Sequence, residues 1–190
     1  VLKLFNFNQE LTIEQGFVKK LNDLLRDPNP SVLTNSLVAL TEIMCSCKTP
    51  ASIVTINFSL VSKLLTALNE CTEWGQIVIL DFIALYDIES ETEAQSICER
   101  VVSRLSHANS AVVLSTIKVI IKAIGLFGET AMLNQHLRKM GPPLVTMLSL
   151  EPEIQYVALR NINLITQKYP SILKNELKSF LIKYNDPIYI

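Results

Sequence analysis

Apolar residues recur along this chain with a period near 3.6 rather than 2, which predicts helices and not strands. Four stretches share one rhythm, a large apolar residue at an anchor position i and again at i+5 and i+8. They are Val32, Leu37 and Leu40; Ile77, Phe82 and Leu85; Val112, Ile117 and Ile120; and Ile154, Leu159 and Ile162. At i+4 stand Ser36, Asp81, Thr116 and Ala158, none of them long, where a neighbouring helix could come close. Each stretch follows another amphipathic segment across a short polar turn, so the predicted unit is a helical hairpin. The first partner helix carries Phe17, Val18, Leu21, Leu24 and Leu25 and stops at Asp27-Pro28-Asn29-Pro30, where two prolines forbid continuation. The second carries Val61, Leu64, Leu65 and Leu68, and the third Ile97, Val101, Val102 and Leu105. The fourth carries Leu144, Val145, Met147 and Leu148, with Pro142-Pro143 just before this set, where a missing N–H costs a helix little. A fifth begins after Pro170 with Leu173, Leu177, Phe180 and Leu181.

The anchors lie 45, 35 and 42 residues apart, close to the roughly 40–47-residue period of HEAT and armadillo arrays. A single short helix is marginal in water, and one hairpin cannot bury both of its apolar stripes, so neighbours must stack. The expected fold is therefore all-α, a right-handed α-α superhelix of about four to five hairpins. We expect one solenoid segment over residues 1–190, with approximate repeats at 12–46, 57–88, 92–127, 134–168 and, in part, 170–190. Cys45 to Asn57 and Ile124 to Arg138 read as linkers between repeats. Leu2, Leu4 and Phe5 form half a stripe, as do Leu177, Phe180 and Leu181, and the chain opens on Val1. Continuation in both directions is expected, and with it self-association of the isolated segment.

Composition narrows the function classes. Hydrophobic residues make up 49% and charged residues 18% of the 190, which supplies a core and excludes an intrinsically disordered chain. Only five glycines are present, few for the turns of a β-sandwich or barrel. The net charge of −1 gives no global field for nucleic acid or an anionic membrane. Locally the balance is uneven: residues 1–97 hold 6 Lys/Arg and 12 Asp/Glu, whereas residues 98–190 hold 11 and 6. The most apolar stretch, Ala111 to Phe127, is interrupted by Lys118 and Lys122 and does not read as a membrane span. No signal peptide is evident. Cys45, Cys47, Cys71 and Cys98 have no disulfide-framework spacing and read as reduced, cytosolic, mostly buried thiols.

No catalytic, metal or cofactor constellation stands out. The two histidines are His107 and His136, and His107 lies in a Ser106-His107-Ala108-Asn109-Ser110 turn that most simply caps the next helix. His107, Ser110 and a remote Asp make a triad only on paper, because no Gly-x-Ser-x-Gly turn exposes a nucleophile. There is no phosphate-binding glycine loop and no Cys/His cluster for zinc, so neither a cofactor nor a metal is expected. The single tryptophan, Trp74, is expected to wedge between hairpins. Asp81 interrupts an apolar run and must face a groove or find a donor, since an unpaired buried carboxylate is costly. The informative row is the face at i+6 and i+10 of the second helices: Val38 and Glu42, Ile83 and Asp87, Lys118 and Lys122, Arg160 and Leu164. Its sign changes along the array. Either it is a solvated face, or Glu42, Asp87, Lys118, Lys122 and Arg160 mark a groove for an acidic or mixed-charge partner.

Several long runs carry a resemblance: residues 68–76 (LNECTEWGQ), 93–101 (EAQSICERV), 104–114 (RLSHANSAVVL) and 151–165 (EPEIQYVALRNINLI), with Asp27-Pro28-Asn29-Pro30 and the closing Lys183 to Tyr189. In these the chain resembles β-adaptin, the large β subunit of clathrin adaptor complexes. The resemblance implies a stretch of an α-solenoid trunk in a heterotetramer with a second large adaptin, a medium chain and a small chain. Such trunks cradle the medium chain's N-terminal domain and help position the complex on phosphoinositide-rich or small-GTPase-marked membranes. It further implies a non-catalytic, cytoplasmic, peripherally membrane-associated scaffold, at plasma-membrane coated pits or the trans-Golgi network. Clathrin would bind through regions outside this segment, and no nucleic acid is implied. No site residue carries over from the family. A HEAT-type phosphatase scaffold and a coatomer-like coat subunit are the alternatives that periodicity alone permits.

Overall fold

The computed structural model describes residues 1–47, 53–128 and 131–173. Among them every regular element is helical, as the periodicity predicts. Two compact units divide the chain, residues Val1–Asp87 and Ile88–Ile190.

The first unit holds α1 (Leu2–Phe7), α2 (Gln9–Glu14), α3 (Phe17–Leu24), α4 (Pro30–Ser46), α5 (Phe58–Ala67) and α6 (Glu73–Ile83). Side chains start most of these helices. Asn8 accepts from the Leu11 amide at 3.0 Å, Asn29 from Ser31 at 2.9 Å and Asn57 from Leu60 at 2.9 Å. Each relieves one of the orphan donors of a helix N-terminus. Gly16, at φ +70, makes the left-handed turn between α2 and α3. α4 packs against both α3 and α6, and buries Leu33, Ser36, Leu37, Leu40 and Ile43. Buried Ser36 donates its hydroxyl to the Val32 carbonyl at 2.8 Å, so a polar atom in the seam is satisfied within its own helix.

In the second unit α7 (Glu91–Val101) runs into a 3-10 turn (Val102–Ser106), followed by α8 (Ser110–Ile124), α9 (Ala131–Met147), α10 (Pro152–Lys168) and a 3-10 turn at Pro170–Leu173. α8 is the central rod. It packs against α7, α9 and α10 and buries nine of its residues, among them Val112, Thr116, Ile117, Ile120 and Ala123. Thr116 repeats the device of Ser36, donating to the Val112 carbonyl at 2.7 Å.

Three expectations need correction here. First, α6 starts at Glu73, so its anchor is Gly75 and not Ile77. The second helices α4, α6, α8 and α10 then begin 43, 37 and 42 residues apart, a more even spacing than the apolar rhythm suggested. In this register Ile79, Leu80 and Ile83 face inward while Leu85 is 49% exposed. Gly75 is the close-approach residue: a Cβ built there would stand 3.0 Å from Thr34 Cγ2 on α4 and 3.0 Å from Cys71 Cβ. Second, α9 runs through Pro142 and Pro143 instead of starting at them. Its buried stripe begins at His136 and Leu137, inside the stretch read as a linker, and continues to Met140, Leu144 and Met147. Packing over these residues offsets the loss of two helical hydrogen bonds at the prolines. Third, of the four free cysteines only Cys98 is buried; Cys45 is exposed, and Cys47 and Cys71 are intermediate. The fifth partner helix, with Leu177, Phe180 and Leu181, lies outside the described residues, as does the Leu173 side chain.

Candidate partner-contact surface

The outward row of the second helices is built by the same register that buries the inward one. Because Ile117 and Ile120 of α8 face the core, Lys118 and Lys122 fall on the opposite side, the first exposed and the second half-buried. On α10, burial of Ala158, Ile162 and Ile165 likewise turns Arg160 and Leu164 to solvent. α8 and α10 touch each other, so the three cations lie on one pair of packed helices. α8 contains no Asp or Glu and α10 contains only Glu153, and Lys118 and Lys122 each have an interaction partner. Sequence reasoning missed a fourth cation. Lys168, at the end of α10, sends its ammonium to within 3.4 Å of the position a Cβ would take on Gly125. That is the C-terminal end of α8, where exposed carbonyls favour positive charge.

In the first unit Val38 and Glu42 of α4 are exposed, and Asp87 is exposed beyond the end of α6. Ile83, expected on the outward row, is instead 1% exposed; with the anchor at Gly75 its place is taken by Asp81 and Leu85. Asp81 is half-buried and has an interaction partner.

The histidines take structural places. His107 Nδ1 accepts the Asn109 amide at 3.0 Å, and Asn109 in turn caps α8 by accepting from Ala111 at 2.9 Å. The nitrogen that a triad carboxylate would orient is thus spent on the turn. His136 is buried on α9 and stacks on Phe127 with ring centroids 5.7 Å apart. Its Nδ1 has no hydrogen-bond partner among the described residues. Burial, and then the Lys139 ammonium, holds its pKa below the usual histidine value, with Glu99 opposing. Among the described residues no cluster of His, Cys, Asp and Glu is placed to hold a metal ion, and no helix is long and apolar enough to cross a membrane.

Comparison with known proteins fits this helical array. Residues 1–122 match the family described as Cnd1, non-SMC mitotic condensation complex subunit 1. The whole chain is 55% identical to the AP-1 complex subunit beta-1 of Homo sapiens, 52% identical to the AP-1 complex subunit beta of Dictyostelium discoideum and 42% identical to the AP-1 complex subunit beta-1 of Saccharomyces cerevisiae. The chain belongs to the Cnd1-type family of helical repeats and is a β-adaptin homologue. It spans 20% of the length of the first two relatives and 26% of the third.

Within this β-adaptin segment, the largest departure from the sequence reading is Trp74. It does not wedge between hairpins but stands 80% exposed on the first turn of α6. The signal that places it is the N-cap. Counted from the caps Asn29, Thr72, Asn109 and Glu151, Trp74 takes the second helical position, which Ser31, Ala111 and Glu153 occupy elsewhere, and all four are exposed.

Proposed function

We propose that the chain is a scaffold segment of a clathrin adaptor β subunit, holding partner subunits in register during vesicle-mediated transport and cargo sorting, in endocytosis, at the trans-Golgi network, or both. The observation that carries this reading is the 55% identity to an AP-1 β subunit along the entire chain. In this reading α3–α4, α5–α6, α7–α8 and α9–α10 are successive repeats of one solenoid, and the segment works by geometry, without catalysis or cofactor. Its partners are the second large adaptin, the medium chain and the small chain. Clathrin engages parts of the subunit outside this segment, and the complex carries it to the cytoplasmic face of coated membranes.

The contact row belongs to the same proposal. Lys118, Lys122 and Arg160, brought onto one pair of packed helices, suit an acidic partner surface, whereas Glu42 and Asp87 suit a basic one. The test is the triple reversal Lys118→Glu, Lys122→Glu and Arg160→Glu in the full β subunit, co-expressed with the other adaptor subunits. Recovery of the assembled complex is expected to fall at least about tenfold, because three like-charge contacts replace three attractive ones. Unchanged assembly would refute the contact row.

A further inference from the structure

We infer that the cleft between the 3-10 turn at Val102–Ser106 and the proline stretch of α9 receives a segment of another polypeptide that carries a large apolar side chain next to a carboxylate. The cleft lies wholly within the second unit and has a volume of about 730 Å³, room for a few side chains. Val102, Leu105, Val113, Met147 and Leu150 give it an apolar lining. Leu105, Val113 and Met147 are buried, whereas Leu150 is 46% exposed, so the apolar surface runs from the core out to a lip. The cleft stays open because Ser106, Ala108, Pro142 and Pro143 put short side chains where long ones would fill it.

The polar groups of the lining select the occupant. Lys139 brings an exposed ammonium, and no Asp or Glu lines the cleft. His107 Nδ1 accepts the Asn109 amide, so the neutral ring carries its proton on Nε2 and can donate from there. Ser110 opens α8, whose N-terminus adds positive potential. All three favour negative charge beside an apolar body. A wholly apolar occupant would desolvate Lys139 without pairing it, and a basic one would be repelled. Backbone chemistry then favours a polypeptide over an acyl chain. Pro143 has no N–H, so the Lys139 carbonyl loses its α-helical donor, and both residues line the cleft. An extended polypeptide can offer that carbonyl an amide N–H, which a hydrocarbon chain cannot. The inference goes beyond the adaptor reading, since it uses only the groups around this cleft.

The test applies fluorescence polarisation to the full-length protein with a panel of dye-labelled hexapeptides, each holding Leu, Ile, Phe or Met at the two central positions and Glu at the last two. Control peptides replace the glutamates by Lys or the apolar pair by Ser, and vesicles of phosphatidylcholine and phosphatidylserine probe a lipid occupant. At least one glutamate peptide is expected to bind saturably, with both of its controls weaker by at least about tenfold. Lys139→Glu is expected to weaken that peptide at least about tenfold and Lys139→Ala less. Ala108→Trp, at an exposed position, places an indole in the cleft and is expected to weaken binding at least about fivefold with no change of charge. Far-UV circular dichroism checks that the variants keep their helicity. Failure of every glutamate peptide to bind, equal binding by the lysine peptides, or unchanged binding in either Lys139→Glu or Ala108→Trp would overturn the site. Vesicle binding that these variants abolish, without peptide binding, would make the cleft a lipid site and overturn it equally.

Discussion

Replacing Gly75 by alanine tests the register of α6 most sharply, because two opposing effects of known size meet there. Alanine is the better helix former by about 1 kcal/mol, so a residue in open space should stabilise the helix. Here the added methyl would meet Thr34 Cγ2 and Cys71 Cβ, both at 3.0 Å, a distance that forces the neighbours to give by a few tenths of an ångström. Neither gives readily. Cys71 Cβ is fixed to the backbone, and Thr34 is held by its Oγ1, which donates to the Pro30 carbonyl at 2.8 Å. Overpacking of this kind costs about 1–3 kcal/mol, so Gly75→Ala is expected to destabilise the chain by about 1 kcal/mol net. Thr34→Ser keeps the hydroxyl and removes the methyl, relieving one of the two contacts. A double-mutant cycle between the positions, read by urea unfolding under far-UV circular dichroism, should therefore show a coupling of about 1 kcal/mol. A stabilising Gly75→Ala with no coupling to Thr34 would refute the close approach of α4 and α6.

Two further outcomes follow from buried titratable groups. His136 has a folded pKa lowered by burial, so the unfolded chain binds more protons as pH falls through about 6.5; stability is expected to fall over that range and to level off once pH is below the folded value. His136→Phe should flatten that slope in urea midpoints, and a slope that survives unchanged would assign it elsewhere. Burial, and then Glu99, pushes the Cys98 thiol up to about 12, so a thiol reagent near pH 8 should label exposed Cys45 first and reach Cys98 only on unfolding. Labelling of Cys98 at the rate of Cys45 in the folded chain would contradict its place in the core.

Much of this fold is legible in the sequence, and the exceptions have physical causes. The α3–α4 hairpin announces itself through Asp27-Pro28-Asn29-Pro30, because a proline at the first helical position and an asparagine cap leave little freedom about where α4 begins. α8 is equally plain, with Asn109 as cap and an apolar stripe broken only where Lys118 and Lys122 must face out. α6 misleads because it is apolar nearly all round: Ile77, Phe82 and Leu85 repeat as well as Gly75, Ile79 and Ile83 do, and a glycine does not read as a core residue. Only the cap Thr72, which accepts the Gly75 amide at 3.4 Å, decides between them. Pro142 and Pro143 mislead for another reason, since the rule against proline inside a helix is a cost and not a prohibition. The buried side chains His136, Leu137, Met140, Leu144 and Met147 lie on both sides of the pair and outweigh that cost. Trp74, at the entry to a second helix, reads as a wedge between hairpins, whereas its exposure depends on its distance from the cap. The outward cations Lys118 and Arg160 follow directly from periodicity, but Lys168 beside Gly125 depends on how α10 lies across α8.

The central claim is that this chain acts as a partner-holding scaffold of an adaptor β subunit, and affinity capture of the full subunit from cell extract with mass spectrometry of the bound chains tests it most directly. The expected result is co-recovery of a second large adaptin, a medium chain and a small chain in near-equal amounts. Recovery of a phosphatase catalytic subunit or of coatomer chains in their place would contradict it.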